Sequence, residues 1–352
     1  MQHRKTLAIG LAVAALSTGL AACNSSHDDG SQTSDALKLG YSQPHTDPFQ
    51  NAEQKGVIRR FKAEGFDYLP ATNANRDASQ QITDIRTLIN RGAKGLVISV
   101  GDADAIVPAI KYANAQQVPI VAIDEAPAGG KIAMIVRADN VALGRKACQA
   151  MGKRVASGQT VLTLDGDPVT SNGRDRTNGF NDCMHQNFPK IKLVHVATQW
   201  DTAKAASGLE TQFNRNPKIA GVYVQSDATF YPTVVQTMKR IGALHQTDHP
   251  GHVTLISVDG SPLALNAIRD GYQDAAIDQP MVGYINYGVK YLVAAIKGQT
   301  FQQGPTDHNS DIVDYKGNLA DQLPTPVVTA DNVDDDGLWG NQSFAKKAFA
   351  TQ

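Results

Sequence analysis

The sequence predicts an α/β protein built as two doubly wound parallel-sheet lobes joined by a multi-segment hinge. Three observations carry that prediction. Nine short, β-branched, near-continuous apolar runs alternate with helical patterns, as expected for strands buried on both faces of a parallel sheet. The alternation occurs twice, first from residue 37 and again from about residue 160. No Gly/Ser-rich linker separates the halves, so several crossing segments are expected to join the lobes.

The strand candidates in chain order are 37–42, 95–100, 119–124, 133–136, 160–165, 192–197, 221–226, 253–259 and 275–278. Between them, residues 77–91 place Ile82, Ile85, Leu88 and Ile89 on one helical face, and Gly92 provides the stop. Residues 102–116 repeat the pattern with Ile106, Ala109, Ile110 and Ala113. Stretches 140–157, 229–241 and 262–270 supply further right-handed crossovers. This reading assigns 37–137 plus 280–305 to a first lobe and 138–279 plus 306–330 to a second. The Asp-, Asn- and Pro-rich stretch 331–352 is read as a C-terminal tail.

Composition excludes several classes. With 352 residues, 41% of them hydrophobic, the chain has a real core and is neither disordered nor collagen-like. Three cysteines are too few for a disulfide scaffold or a zinc ribbon. A formal charge of −1 offers no footprint for nucleic acid. There is no dinucleotide fingerprint, phosphate loop, HExxH or GxSxG elbow. No cofactor, resident metal or catalysis is therefore expected. His245, His249 and His252 fall in a Pro/Gly loop that reads as solvated, and 331–337 lacks the alternation of a calcium loop.

The N-terminus reads as an address. His3, Arg4 and Lys5 precede the apolar stretch 7–16, which is too short to span a bilayer. Leu20-Ala21-Ala22-Cys23 resembles a bacterial lipobox, so residues 1–22 are read as a lipoprotein signal peptide and Cys23 as the lipidated N-terminus. Residues 23–36 are polar and aperiodic and read as a flexible tether. The body is expected in the periplasm or cell envelope, held to a bacterial membrane by lipid alone. Cys148 and Cys183 remain; whether they bond or stay as buried thiols is left open.

Candidate binding residues cluster at strand ends, where ligands of parallel sheets sit. Among 34 acidic residues only Glu53, Glu64, Glu125 and Glu210 are glutamate. Asp124, Asp165, Asp227 and Asp259 close or follow strands. Each can accept two hydroxyls, or simply start a turn or cap a helix. Asp47-Pro48 sets a helix start, with Phe49 in its first turn either stapling the helix or lying against a ring. Arg174 and Arg176 open a helix against its dipole. Of the two, Arg174 is the candidate fork for ligand oxygens, with a surface salt bridge as its alternative. Trp200 follows a strand as a stacking wall.

In order along the chain, DPFQNAEQKG, VPIVAIDEAP, RADNVALGRKA, TSNGRDRTNGF, VYVQSDAT, LISVDGSP and AAIDQP resemble the periplasmic substrate-binding proteins of ABC sugar importers, of the ribose/galactose type. The resemblance spans residues 37–328 and implies the type I fold, with three crossing segments and a cleft between the lobes. It implies ligand contacts at Asp47, Phe49, Asp124, Arg174, Trp200, Ser226, Asp227, Asp259 and Gln279. Glu125 stands where Arg is usual and Ser226 where Asn is usual, which argues against ribose itself. A monosaccharide (a pentose or hexose other than ribose), a related polyol or a cationic amino sugar is expected, with an ABC permease and its ATPase as partners and a monomeric body. A sensory module for a chemoreceptor or histidine kinase is an alternative, and a secreted hydrolase another.

Overall fold

The computed structural model describes residues 37–350 apart from Pro217. The expected signal peptide, the lipidation site Cys23 and the tether lie outside the described residues. The first lobe opens with β1 (Lys38–Gln43), α1 (Pro48–Ala63), β2 (Asp67–Tyr68), β3 (Thr72–Asn73), α2 (Ala78–Asn90), β4 (Gly95–Ile98), α3 (Val107–Ala115), β5 (Ile120–Ile123) and β6 (Met134–Ala138). The second contains α4 (Asn140–Gly152), β7 (Thr160–Asp165), α5 (Ser171–Asn187), β8 (Lys192–Ala197), α6 (Thr202–Arg215), β9 (Ile219–Val224), α7 (Asp227–Arg240), β10 (Thr254–Asp259), α8 (Pro262–Arg269) and β11 (Ala275–Asp278). The chain then returns through α9 (Met281–Ile296), β12 (Gly304–Pro305), β13 (Asp311–Tyr315) and β14 (Asn318–Leu323). It ends in β15 (Val327–Val328) and α10 (Ser343–Phe349).

Two sheets result. The first runs β12-β13-β14-β6-β5-β4-β1-β2, with β3 also on β1; the second runs β15-β11-β10-β9-β7-β8. All nine expected strands are present, and they pair in parallel. Alternate residues serve opposite faces. In the first sheet Val97, Val121 and Val136 meet the α1/α9 layer, while Leu96, Ile98, Ile120 and Ala122 meet α2/α3. In the second, Val161 and Ile256 face α4/α5, and Leu162, Val222 and Leu255 face α6/α7. A disulfide between Cys148 and Cys183 ties α4 to α5, as an oxidising compartment permits.

The chain crosses between sheets three times, at β6–α4, β11–α9 and β14–β15. The last crossing corrects the expected lobe assignment, because residues 306–323 belong to the first sheet. There β14 runs parallel to β6, and β13 folds back on it through Lys316-Gly317, both at positive φ as a tight hairpin needs. Its half-exposed, Asp-rich strands lack the apolar run that marks an interior strand.

The expected tail is also packed up to residue 350. Trp339 is 1% exposed, meets Phe49 edge-on at 5.8 Å, and donates its indole N–H to the Asp259 carbonyl at 2.5 Å. Helix α10 packs on α1 of the first lobe and α8 of the second. The C-terminal segment is thus a strap across both lobes.

Candidate ligand-binding site

The carboxyl ends of the strands in both sheets converge on one cavity of about 170 Å³ between the lobes. That is below the roughly 300–1,000 Å³ of drug-sized pockets, so a small solute suits it. The first lobe supplies Asp47, Phe49, Gln50, Arg76, Gln81, Asp124 and Glu125; the second supplies Asn172, Arg176, Trp200, Ser226 and Asp259, with Gln279 at a crossing.

Asp47 caps α1, accepting from the Gln50 N–H at 2.8 Å, with Pro48 preset at the first helical position. Its other oxygen accepts from the Thr229 hydroxyl of the opposite lobe at 3.0 Å and lies 3.2 Å from His45 Nε2. Burial pushes this carboxyl up, but His45 and the helix N–H bring it below its ordinary value. Phe49 is buried at the cavity edge against Trp339.

Asp124 follows β5 at φ 61° and Asp259 closes β10 at φ 113°. A positive φ costs a non-glycine residue roughly 1–3 kcal/mol and persists where surrounding structure demands it. Asp124 accepts from Asn172 Nδ2 at 2.7 Å. Burial and neighbouring Glu125 hold its carboxyl well above the ordinary range. Asp259 accepts from Ser226 Oγ at 2.6 Å, the Ala228 N–H at 3.2 Å and Gln279 Nε2 at 2.8 Å. Burial and then Asp227 push it up to about 7, against the pull of Arg176. Gln279 is fixed in turn by the Tyr284 hydroxyl at 2.7 Å.

Glu125 reaches across the lobe boundary to the N-terminus of α5. It accepts from Ser171 Oγ at 2.6 Å and the Asn172 N–H at 3.0 Å. Burial raises this carboxyl, and the Ser171 hydroxyl and helix N–H oppose the rise. Trp200, itself at φ 54°, lies over Gly166, where a Cβ would fall 2.2 Å from the indole. Phe230 stacks on Trp200 at 6.2 Å.

Two candidates are displaced. Arg174 is half-exposed and donates to the Pro168 carbonyl at 3.0 Å, outside the cavity lining. Arg176 takes the inward place. It is 2% exposed, donates from Nε to Asn140 Oδ1 at 2.8 Å and from Nη1 to the Gln225 carbonyl at 2.6 Å, and sits 3.7 Å from Asp259 Oδ1. The reason is helical phase. Residues 172, 176, 180 and 183 share the buried face of α5, and residue 174 lies about 200° away from 172. The apolar Phe180, Cys183 and Met184 carried that signal in the sequence. Asp227 likewise turns from the cavity. Its carboxylate accepts from Ser257 Oγ at 2.6 Å and from the Gly260 and Ser261 N–H groups at 3.0 and 2.9 Å, fixing the β10–α8 turn.

Beyond Arg176, sequence reading missed Gln50, Gln81, Asn172 and Arg76. Arg76 Nη2 donates to the Trp200 carbonyl at 2.9 Å across the cleft mouth. Its loop carries no local pattern that predicts this partner.

Taken together, the cavity offers carboxylates from both lobes, two guanidinium groups and two aromatic edges. Among the described residues no group of three or more His, Cys, Asp or Glu side chains is placed to hold a metal ion. His252 pairs with Asp274 at 2.9 Å.

Two α/β lobes, three crossings and a cavity at the facing strand ends define the two-lobed cleft-binding class of α/β proteins. The chain belongs to the periplasmic binding protein family, whose domain model matches residues 40–300. It is 30% identical over 234 residues to the ribose import binding protein of Bacillus subtilis, covering 66% of this chain and 72% of that one. It is 24% identical over 327 residues to the xylitol-binding protein of Mycolicibacterium smegmatis, covering 92% and 85%. In structure it resembles a Mycobacterium smegmatis ABC transporter solute-binding protein with bound glycerol (TM-score 0.73, 24% identity, 85% and 96% coverage). It also resembles the Caulobacter myo-inositol binding protein (TM-score 0.72, 21% identity, 84% and 94% coverage).

Proposed function

We propose that this chain is an extracytoplasmic solute-binding protein that captures a monosaccharide or related polyol and delivers it, chemically unchanged, to an ABC importer. The observation that carries this reading is the cavity itself. Carboxylates from both lobes converge there beside Trp200 and Phe49, matching a solute with many hydroxyl donors and apolar C–H faces. The ribose and xylitol named for its relatives support the solute class.

The mechanism is closure about the three crossings. A solute held by both lobes binds the closed arrangement better than the open one and shifts the population toward it. The Asp47–Thr229, Asp124–Asn172 and Arg76–Trp200 contacts then add inter-lobe hydrogen bonds. The permease reads the closed form. A lipid on Cys23 holds the body at the membrane.

A thermal-shift panel of sugars and polyols, followed by mass spectrometry of the recovered solute, tests capture. A concentration-dependent rise in melting temperature with intact solute is expected. Release of a cleaved or altered product would replace capture with catalysis. Cys23→Ala is expected to leave the membrane fraction, and its retention there would remove the anchor.

A further inference from the structure

We propose that the solute of this cleft carries an ammonium group beside its hydroxyls, as in an amino sugar or amino polyol, and that Asp124 receives it. The inference rests on the capture function proposed above and narrows its solute class.

The argument is one of unspent charge and unspent acceptors. Three buried carboxylates, Asp124, Glu125 and Asp259, line the cavity. Glu125 is answered by the N-terminus of α5 through Ser171 and Asn172, where the helix dipole favours an anion. Asp259 is answered by Arg176 at 3.7 Å and three hydrogen bonds. Arg176 spends two further donors on Asn140 and the Gln225 carbonyl. The other buried guanidinium nearby, Arg137, pairs with Asp175 at 2.8 Å.

Asp124 is left. Among the described residues it accepts one side-chain hydrogen bond, on Oδ1 from Asn172, and forms no ion pair. Its backbone is held at φ 61°, and the residue lines the cavity. Independently, Gln50 lines the same cavity, is 5% exposed, and buries its Oε1 without a partner. Both groups call for donors. An ammonium brings three donors, no acceptor and the missing positive charge, whereas a hydroxyl brings one donor and no charge. A buried carboxyl is costly to ionise without a counter-charge, so a cationic solute gains a pairing here that a neutral one does not. Burial and then Glu125 raise the Asp124 carboxyl, against the pull of Arg176, so a solute cation that pairs with it favours the ionised form.

The test is a set of matched pairs measured by calorimetry: D-glucosamine against D-glucose, D-galactosamine against D-galactose, and glucamine against sorbitol. For the skeleton that fits, the amino member is expected to bind at least tenfold tighter, and Asp124→Asn to shrink that preference to threefold or less. Should Asp124→Asn fail to fold, the wild-type pairs decide alone. A neutral member binding as tightly as its amino partner would overturn the ammonium assignment and leave sugar capture standing. Silence from every pair and from the wider sugar and polyol panel would overturn both.

Discussion

Arg176 and Arg174 differ by two positions and should differ sharply in consequence. In Arg176→Gln the cavity loses a guanidinium that donates to Asn140 and the Gln225 carbonyl and stands 3.7 Å from Asp259. Removing one partner of a buried ion pair strands the other, at about 3–5 kcal/mol of stability. If the solute also draws on this guanidinium, a lost charged hydrogen bond is worth about 1.5–3 kcal/mol, or roughly 10- to 150-fold in Kd. Arg174→Gln removes only a half-exposed contact to the Pro168 carbonyl. Changes of that kind stay within about 0.5 kcal/mol, near twofold. Calorimetric titration with the tightest solute of the panel, beside denaturant melts of the solute-free proteins, separates the two effects. Wild-type affinity in Arg176→Gln, or an equal loss in Arg174→Gln, would refute the placement of the cavity guanidinium on the inner face of α5.

Other outcomes follow from burial and cross-linking. Glu53, Asp124, Asp227, Asp259 and Asp278 all have carboxyls raised chiefly by burial. The folded state then holds more protons than the unfolded one from about pH 4 to about 7, the value to which Asp259 is pushed. Stability should fall as pH rises through that window. His195 and His252, raised by Asp165 and Asp274, lose their stabilisation in the same direction. Urea midpoints at pH 5 and pH 8 check this, and a higher midpoint at pH 8 would contradict it. Replacing Cys148 and Cys183 by Ala opens a loop with a sequence separation of 35. Loop-closure entropy for that length gives a loss of about 4 kcal/mol, read as a lowered urea midpoint. Trp339→Ala should cost about 3–5 kcal/mol and also weaken solute binding, because Trp339 supports both Phe49 and the Asp259 backbone. Unchanged melting would show that the strap is dispensable.

Much of the fold was legible because interior parallel strands announce themselves. β4 and β5 are buried on both faces, so no polar residue interrupts their apolar runs. One helix start was legible too: Asp47 caps α1 through a side-chain oxygen, with Pro48 at its first position. The β13–β14 hairpin was not. It lies near a sheet edge, half in water, and its one fully buried carboxylate, Asp321, is held by Tyr291 and His308, which the local sequence does not reveal. The tail was misread for a similar reason, since its apolar anchors Trp339 and Phe349 are few and far apart.

Local pattern by itself determined the nine expected strands, because period and run length record how much of each face meets water. It also placed most candidate residues at strand ends. Only the tertiary structure decided which of those ends share a cavity. Asp227 turned to its own loop, Arg176 displaced Arg174, and Glu125 went to a helix N-terminus. Those choices depend on partners far along the chain, such as Asp47 with Thr229 at a separation of 182 and Arg76 with Trp200 at 124. A carboxylate's role follows from the donors that arrive around it, and those arrive only when the lobes pack.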